Sequence, residues 1–358
     1  MKLCHRAQHI VPSISVFIAV AALLGACGGG GSAVGTTASS GGSGASSASS
    51  AASSASSSSV SSSSSAASSS SSSSSRVSLY LSDPVIASCD KGVLKDSERT
   101  AALDKVNAVR VRHGLLPVTY DATEDDASAE AALYMVANRT ITSTPSSSGL
   151  CYTADAARLA ASSNLFVTFA LTAGATTQDV ASTRPIVSYL LNSTSPVLSE
   201  RRRLLNPFLG KITFGRVDGQ PVGASQEYMS AVLKVIGNDV ANINAMSNDF
   251  VAYPYGIYPA GEYATDGYLS FSAIASKTDA AANGGAQVSF AAATITVSDG
   301  GTLLPVTNQA ADYSAYGLPN SLQWKVTGLQ TNVSYAVQIS NVVVNGVTHQ
   351  YNYTFRLQ

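Results

Sequence analysis

Residues 96–114 read DSERTAALDKVNAVRVRHG, and this stretch sets the first half of the fold. Asp96 or Ser97 can cap a helix by accepting from the free amides of its first turn, and Gly114 supplies the stop by entering left-handed backbone at no steric cost. Ala102, Val106 and Val109 recur at helical spacing and give the helix one apolar side. The stretch over 124–138 predicts a second helix, with Ala127, Ala131, Tyr134 and Met135 facing inward. A Ser-rich loop over 143–149 follows, and 164–171, alternating and rich in Phe, Val and Thr, predicts a strand. Pro185 suits the first turn of a helix that reaches Leu191. Two more strands are predicted over 211–217 and 228–236, joined through Gly219-Gln220-Pro221 and Gly223. Helices mixed with a few strands predict a helix–sheet–helix sandwich over 76–250.

After Tyr253-Pro254-Tyr255-Gly256 the texture changes to short alternating runs separated by turn residues. Strands are predicted over 288–291, 294–297, 322–326, 335–344 and 348–357. Asn345-Gly346 is a two-residue hairpin signal, because both positions favour positive φ. Tyr351, Tyr353, Phe355 and Leu357 share one face, as do Tyr335, Val337 and Ile339 before the turn, and Trp324 alternates into the core with Leu322 and Val326. The reading is a small antiparallel, Ig-like β-sandwich over 251–358, so the fold class is α+β.

Ahead of these domains, Lys2 and Arg6 precede an apolar run over 14–24 that is too short for a comfortable membrane span and ends in small residues, the layout of a secretory signal. The ending Leu24-Gly25-Ala26-Cys27 resembles the lipobox of bacterial lipoproteins. That resemblance implies a signal peptide over 1–26, a lipid on Cys27, and a membrane partner held through that lipid. Gly28, where many inner-membrane lipoproteins carry Asp, points to the outer membrane in a two-membrane bacterium. Residues 28–75 are almost entirely Gly, Ser, Ala and Thr, cannot bury apolar surface, and as a flexible coil span roughly 40 Å, so 27–75 reads as a lipidated, disordered tether. Polyserine linkers of this kind are familiar in secreted proteins of polysaccharide-degrading bacteria. With 21 basic and 22 acidic residues and no basic stripe, nucleic acid is not an expected partner.

Asn107-Ala108-Val109-Arg110, His113-Gly114-Leu115, Pro117 and Tyr120-Asp121 resemble the opening helix of the CAP superfamily (SCP/PR-1-like) in its bacterial form. Met135 falls where that family commonly has Met. Ser162-Ser163-Asn164-Leu165 sits where it writes Gly-Glu-Asn-Ile, and Leu190-Leu191-Asn192-Ser193 where it writes Trp-x-x-Ser or Trp-x-x-Glu. Glu200-Arg201-x-x-Leu204-Leu205-Asn206-Pro207 matches His-Arg-x-x-Ile-Leu-Asn-Pro with the first residue changed. The resemblance covers about 98–236 and implies a cleft with two His and two acidic residues able to hold a divalent metal. The matching positions here fall near Ser143 and at Ser163, Ser193 and Glu200, with Asn164 and Arg201 beside them, so the cleft is degenerate. One carboxylate and three hydroxyls make a poor zinc set, and Glu200 with carbonyls would need six or more oxygens for Ca²⁺, so neither metal nor cofactor is expected.

Other chemistry is thin. No Gly-x-Ser-x-Gly elbow is present, and the first domain offers a triad only His113, which reads as closing a helix end with a partly positive ring. Glu124, Asp125 and Asp126 read as a solvated first-turn cluster. Arg201-Arg202-Arg203 either attracts an acidic polymer or headgroup, or has Arg201 built into the structure with the others solvated. The dense Tyr253, Tyr255, Tyr258, Tyr263 and Tyr268 either stack on sugars or pack between the domains. Cys89 and Cys151 are the only pair left in the mature fold. They read as a disulfide closing a loop of about 60 residues, contributing roughly 3–4 kcal/mol, with two buried free thiols as the other reading. The functional expectation is a lipid-anchored, more likely non-catalytic module that binds a polysaccharide, peptidoglycan or lipid; the alternative is a hydrolase using Glu200 as general base.

Overall fold

A computed structural model describes residues 78–172, 174–191 and 196–358. The expected signal over 1–26, Cys27 with the tether over 27–75, and Ser193 lie outside these residues. Strands β1 (Tyr80–Ser82) and β2 (Val93–Leu94) pair ahead of helix α1 (Asp96–Arg112). Then come β3 (Thr119–Tyr120), α2 (Asp125–Asn138), α3 (Ala154–Ala161), β4 (Ser163–Phe169), α4 (Arg184–Leu191), α5 (Ser199–Leu204), β5 (Lys211–Gly219) and β6 (Tyr228–Lys234). The sheet order is β3-β5-β6-β4, antiparallel except for the parallel pair β3 and β5.

Alternation gives this sheet a core on each face. Ile212 and Phe214 of β5, with Met229, Ala231 and Leu233 of β6, pack with Ala102, Val106 and Val109 of α1 and with Ile186 and Leu190 of α4. Val217 and Val232 pack on the other side with Ala131 and Met135 of α2 and Leu159 of α3. Gly215 is needed at that contact, since a Cβ there would lie 2.4 Å from the backbone of Ser128 and force α2 off the sheet. The expected cap of α1 is absent: Lys95 holds the cap position without a side-chain bond, and Asp96 instead pairs with Arg99 at 2.9 Å. Gly114, at φ +70°, ends the helix as expected. Cys89 and Cys151 are bonded, with Cα atoms 5.3 Å apart, which settles that pair as a disulfide.

The rest of the chain forms two facing sheets. Their strands are β7 (Phe250–Tyr253), β8 (Gly256–Tyr258), β9 (Leu269–Ala273), β10 (Val288–Ser289), β11 (Thr294–Asp299), β12 (Thr302–Leu303), β13 (Val306–Asp312), β14 (Ser321–Val326), β15 (Ser334–Val344) and β16 (Val347–Leu357). One sheet runs β13-β14-β9-β7, the other β12-β11-β15-β16-β8 with β10 also on β15. Aromatic pairs bridge them, such as Phe271 and Tyr351 with ring centres 4.9 Å apart, and Trp324 is fully buried. The expectation of an antiparallel sandwich is corrected at one edge: β8 pairs with β16 in parallel, because the chain leaves β7 in the opposite sheet and enters β8 beside the C-terminal strand. Asn345 and Gly346 turn at φ 51° and 80°, as the hairpin required. One extra residue near Asn341 (φ 61°) shifts the register, so the buried positions change from Tyr335, Val337 and Ile339 to Val342 and Val344.

Both halves of 78–358 belong to one compact unit, with a continuous core cluster that runs from Val106 to Trp324. Charged side chains fasten them. Arg112 and Lys105 grip the carboxylate of Glu262, Arg112 at 2.7 Å; burial works against that carboxyl's charge, but the two cations hold it below its usual range. His113, at the end of α1, donates from Nδ1 to the carbonyl of Ala252 at 2.6 Å and stacks on Tyr253. Its burial lowers the imidazole to about 3, so the ring is neutral. The partly positive ring expected at this helix end is therefore absent.

Candidate functional site

Of the positions expected to line a cleft, Ser163 and Asn164 lie on β4 and Glu200 and Arg201 on α5. Both elements are placed by the sheet core: Asn164 pairs across β4 with Leu233 of β6, and α5 follows the buried Leu198. Asn164 is 1% exposed. Its amide donates to the backbone carbonyl of Glu200 at 2.9 Å, and its own carbonyl accepts the hydroxyl of Tyr189 at 3.1 Å. The side-chain Oδ1 of Asn164 has no partner. Glu200 sits in the first turn of α5 and accepts the hydroxyl of Ser199 at 2.9 Å. Burial, and then the charge of Glu200, raise Tyr189 well above the usual phenol range, which keeps it a neutral donor. Ser163 is buried and turns its hydroxyl to the carbonyl of Leu159 at 2.7 Å, back into the turn between α3 and β4. Ser143 lies exposed in the loop after α2, and no hydrogen bond joins it to Asn164 or Glu200. Ser193 is outside the described residues. Asn164 and Glu200 are thus brought together and joined, while Ser143 and Ser163 are directed elsewhere.

Among the described residues this donor set does not fit a divalent metal. The Ser163 hydroxyl is already bonded to a carbonyl, and one carboxylate beside a neutral amide supplies too few ligands for zinc or calcium. Among the described residues no three His, Cys, Asp or Glu side chains gather as a ligand cluster.

Arg201 and Arg202 belong to the junction. Arg201 is buried, donates to the carbonyls of Leu190 and Tyr268 at 2.7 Å each, and lies 3.8 Å over the ring of Tyr253. Arg202 reaches Asp312 and the carbonyls of Ser314 and Leu318. Of the two sequence readings for this basic run, the structure takes the built-in one and extends it to Arg202. Tyr253, Tyr258 and Tyr263 are buried in the same junction, so packing accounts for them, while Tyr255 remains half-exposed. Arg110, quoted in the opening-helix motif but given no role there, donates to four carbonyls, those of Leu116, Leu204, Asn206 and Leu209, and ties α1 to the exit of α5. Its signal was present: it lies four residues beyond Val106, on the apolar stripe.

Two open surfaces among the described residues have ligand-sized volume: one of about 550 Å³ beside the disulfide, lined by Lys91, Glu130 and Tyr152, and one on the outer face of the sheet that holds β15 and β16. The latter is a trough of about 650 Å³ lined by side chains that include Thr296, Gln338, Asn352, Thr354 and Tyr255. No helix among the described residues is long and apolar enough to cross a membrane. No family model matches this chain, and no curated protein matches it.

Proposed function

We propose that the chain is an exported cell-envelope or surface protein, held to the membrane by a lipid on Cys27. Its first half is a CAP-like α-β-α domain with a degenerate cleft, and the whole works as a non-catalytic module that binds a glycan, a lipid or another envelope component. One observation carries this reading: the side chains of Ser163, Asn164 and Arg201, three of the expected cleft residues, serve the scaffold. Ser163 bonds Leu159, Asn164 bonds the backbone of Glu200, and Arg201 bonds Leu190 and Tyr268. A catalytic centre needs groups aimed at a reacting atom, with a base and a stabiliser of developing charge within reach of one another. Glu200 accepts the hydroxyl of Ser199 at its carboxylate and gives its backbone carbonyl to Asn164.

The test uses full-length protein purified in detergent. Saturable retention on one class among peptidoglycan, plant and algal polysaccharides and lipid vesicles is expected, unchanged by Glu200→Gln. Hydrolysis of any of these that Glu200→Gln abolishes would replace the binding module with a hydrolase. Cys27→Ser should move the protein from the detergent-rich to the aqueous phase; no change in partition would remove the lipid anchor from the proposal.

A further inference from the structure

The outer face of the larger sheet carries an ordered array of uncharged polar side chains. Successive side chains on a strand point to opposite faces, so the residues between the buried Val297, Val337, Ile339 and Tyr353 point away from the core. The register stacks them in rows. Thr296, Gln338 and Asn352 form one row across β11, β15 and β16, and Ser298, Ala336 and Thr354 form the next. Thr294 and Ser340 begin a third, which Gln350 completes through a bond to Ser340 at 3.4 Å. Gln338 donates to Asn352 at 3.2 Å, which holds the two amides in place. Ala336, in the middle of the rows, has a short side chain that leaves the trough open, and Gly256 lines it at the β8 edge.

We propose that this trough binds an uncharged glycan chain lying across the strands. The inference rests on the reading of the protein as a binding module and assigns the contact to the sandwich rather than to the CAP-like cleft. The volume of about 650 Å³ is within the usual range for a ligand site. Hydroxyls and carboxamides both donate and accept, as sugar hydroxyls do, so a row such as Thr296, Gln338 and Asn352 can pair with either role. No lining side chain is charged, so an acidic polymer or a lipid headgroup gains no ion pair there. Solvated sheet faces normally carry Lys and Glu, which keep them soluble and apart. Three rows without one mark a face whose chemistry is complementary to a neutral polar partner. Tyr255 closes the rim, its ring braced by Phe250 and Tyr353 at 6.0 and 6.1 Å, and offers an apolar face to a sugar ring. From β11 to β8 the floor is about 14 Å wide, three strand spacings. Arg356 is the next outward residue on β16, one row beyond the lining, opposite Ser334.

Full-length protein in detergent is titrated with cellohexaose, xylohexaose and mannohexaose, and with a polygalacturonate hexamer as the acidic counterpart. Saturable binding of a neutral hexamer is expected. Gln338→Ala and Asn352→Ala should each weaken it about 3- to 10-fold, the loss of one hydrogen bond. Ala336→Phe, which fills an exposed trough, should abolish it without moving the thermal midpoint, and Arg356→Gln should leave it unchanged. If glycan binding survives both Ala336→Phe and Gln338→Ala, the trough is overturned while the binding-module reading stands. Preference for polygalacturonate with loss in Arg356→Gln overturns the assignment of an uncharged ligand. Binding of no hexamer, with retention on vesicles or peptidoglycan, likewise overturns the glycan and leaves the module.

Discussion

His113 makes the joint between the two halves sensitive to acid. Its ring is 1% exposed, donates to the carbonyl of Ala252, and packs between Tyr253 and Tyr258. Desolvation dominates and lowers its pKa to about 3; the bond to the Ala252 carbonyl opposes it, Arg112 and Arg201 add to it, and Glu262 opposes it. The folded state therefore holds the ring neutral, while the unfolded chain protonates it near pH 6.5. Stability contributed by the neutral ring is complete above pH 6.5 and is lost as the pH falls from there toward 3, because the unfolded state binds the extra proton. At about 1.4 kcal/mol per pH unit, the loss reaches roughly 2 kcal/mol at pH 5 and 4–5 kcal/mol near pH 3. His113→Gln keeps an amide donor for Ala252 and removes the titration. Urea unfolding of both proteins at pH 8, 6, 5 and 4 measures the difference. The variant should be less stable at pH 8, and its curve should flatten by about one proton below pH 6.5. Identical slopes in the two proteins would mean that the ring is not buried neutral at this joint, and the account of the junction would fall.

The carboxylate of Asp218 accepts four donors, two from Arg216 at 2.7 and 3.0 Å, the hydroxyl of Tyr80 at 2.6 Å and that of Thr177 at 2.7 Å. Asp218→Asn leaves the Arg216 charge buried and turns an amide toward donors, so thermal melting should show a loss of about 3–5 kcal/mol, roughly 6–20 °C. A shift below about 2 °C would deny the network its structural role. The double variant Cys89→Ser with Cys151→Ser should melt lower by the equivalent of about 3–4 kcal/mol, the loop-entropy value. The same midpoint with and without reductant in the wild type would show that the cross-link adds nothing.

What the sequence made legible follows from how local the cause is. Helix α1 and helix α2 are set by apolar spacing inside one segment, and β15, β16 and their Asn345-Gly346 turn by alternation and positive φ within about twenty residues. Strand β13 left no trace, because Thr307 to Ala311 are all exposed and polar or small; the strand exists through pairing with β14. The parallel edge β8 depends on a partner a hundred residues away, which no window of sequence contains. Buried arginines defeat a rule that counts charge as solvated: Arg110 and Arg201 are held by backbone carbonyls whose positions only the tertiary fold fixes. The trough shows the same division. Thr294, Thr296 and Ser298 alternate visibly in the sequence, but the rows that join them to Gln338 and Asn352 require the register.

The junction also decides how far the protein can be divided. Cutting after residue 250 looks natural from composition, since the strand-rich texture begins there. The physical joint does not follow the composition. Removing 251–358 takes away the carbonyl of Ala252 that His113 needs, the Glu262 that pairs with Lys105 and Arg112, the Tyr268 carbonyl and Tyr253 ring that hold Arg201, and the Asp312 and Ser314 acceptors of Arg202. Several buried polar groups lose their partners at once, each at about 1–3 kcal/mol and more where charged, against a total domain stability of about 5–15 kcal/mol. The apolar cluster that runs through Ile243 and Met246 is opened as well. The fragment ending at residue 250 should therefore be insoluble or lack a cooperative melt, even though it contains helices α1 to α5 and the whole β3-β5-β6-β4 sheet. A soluble fragment with a single sharp transition would refute this. It would show that the arginine and histidine contacts are surface packing between two independent domains rather than the shared interior of one.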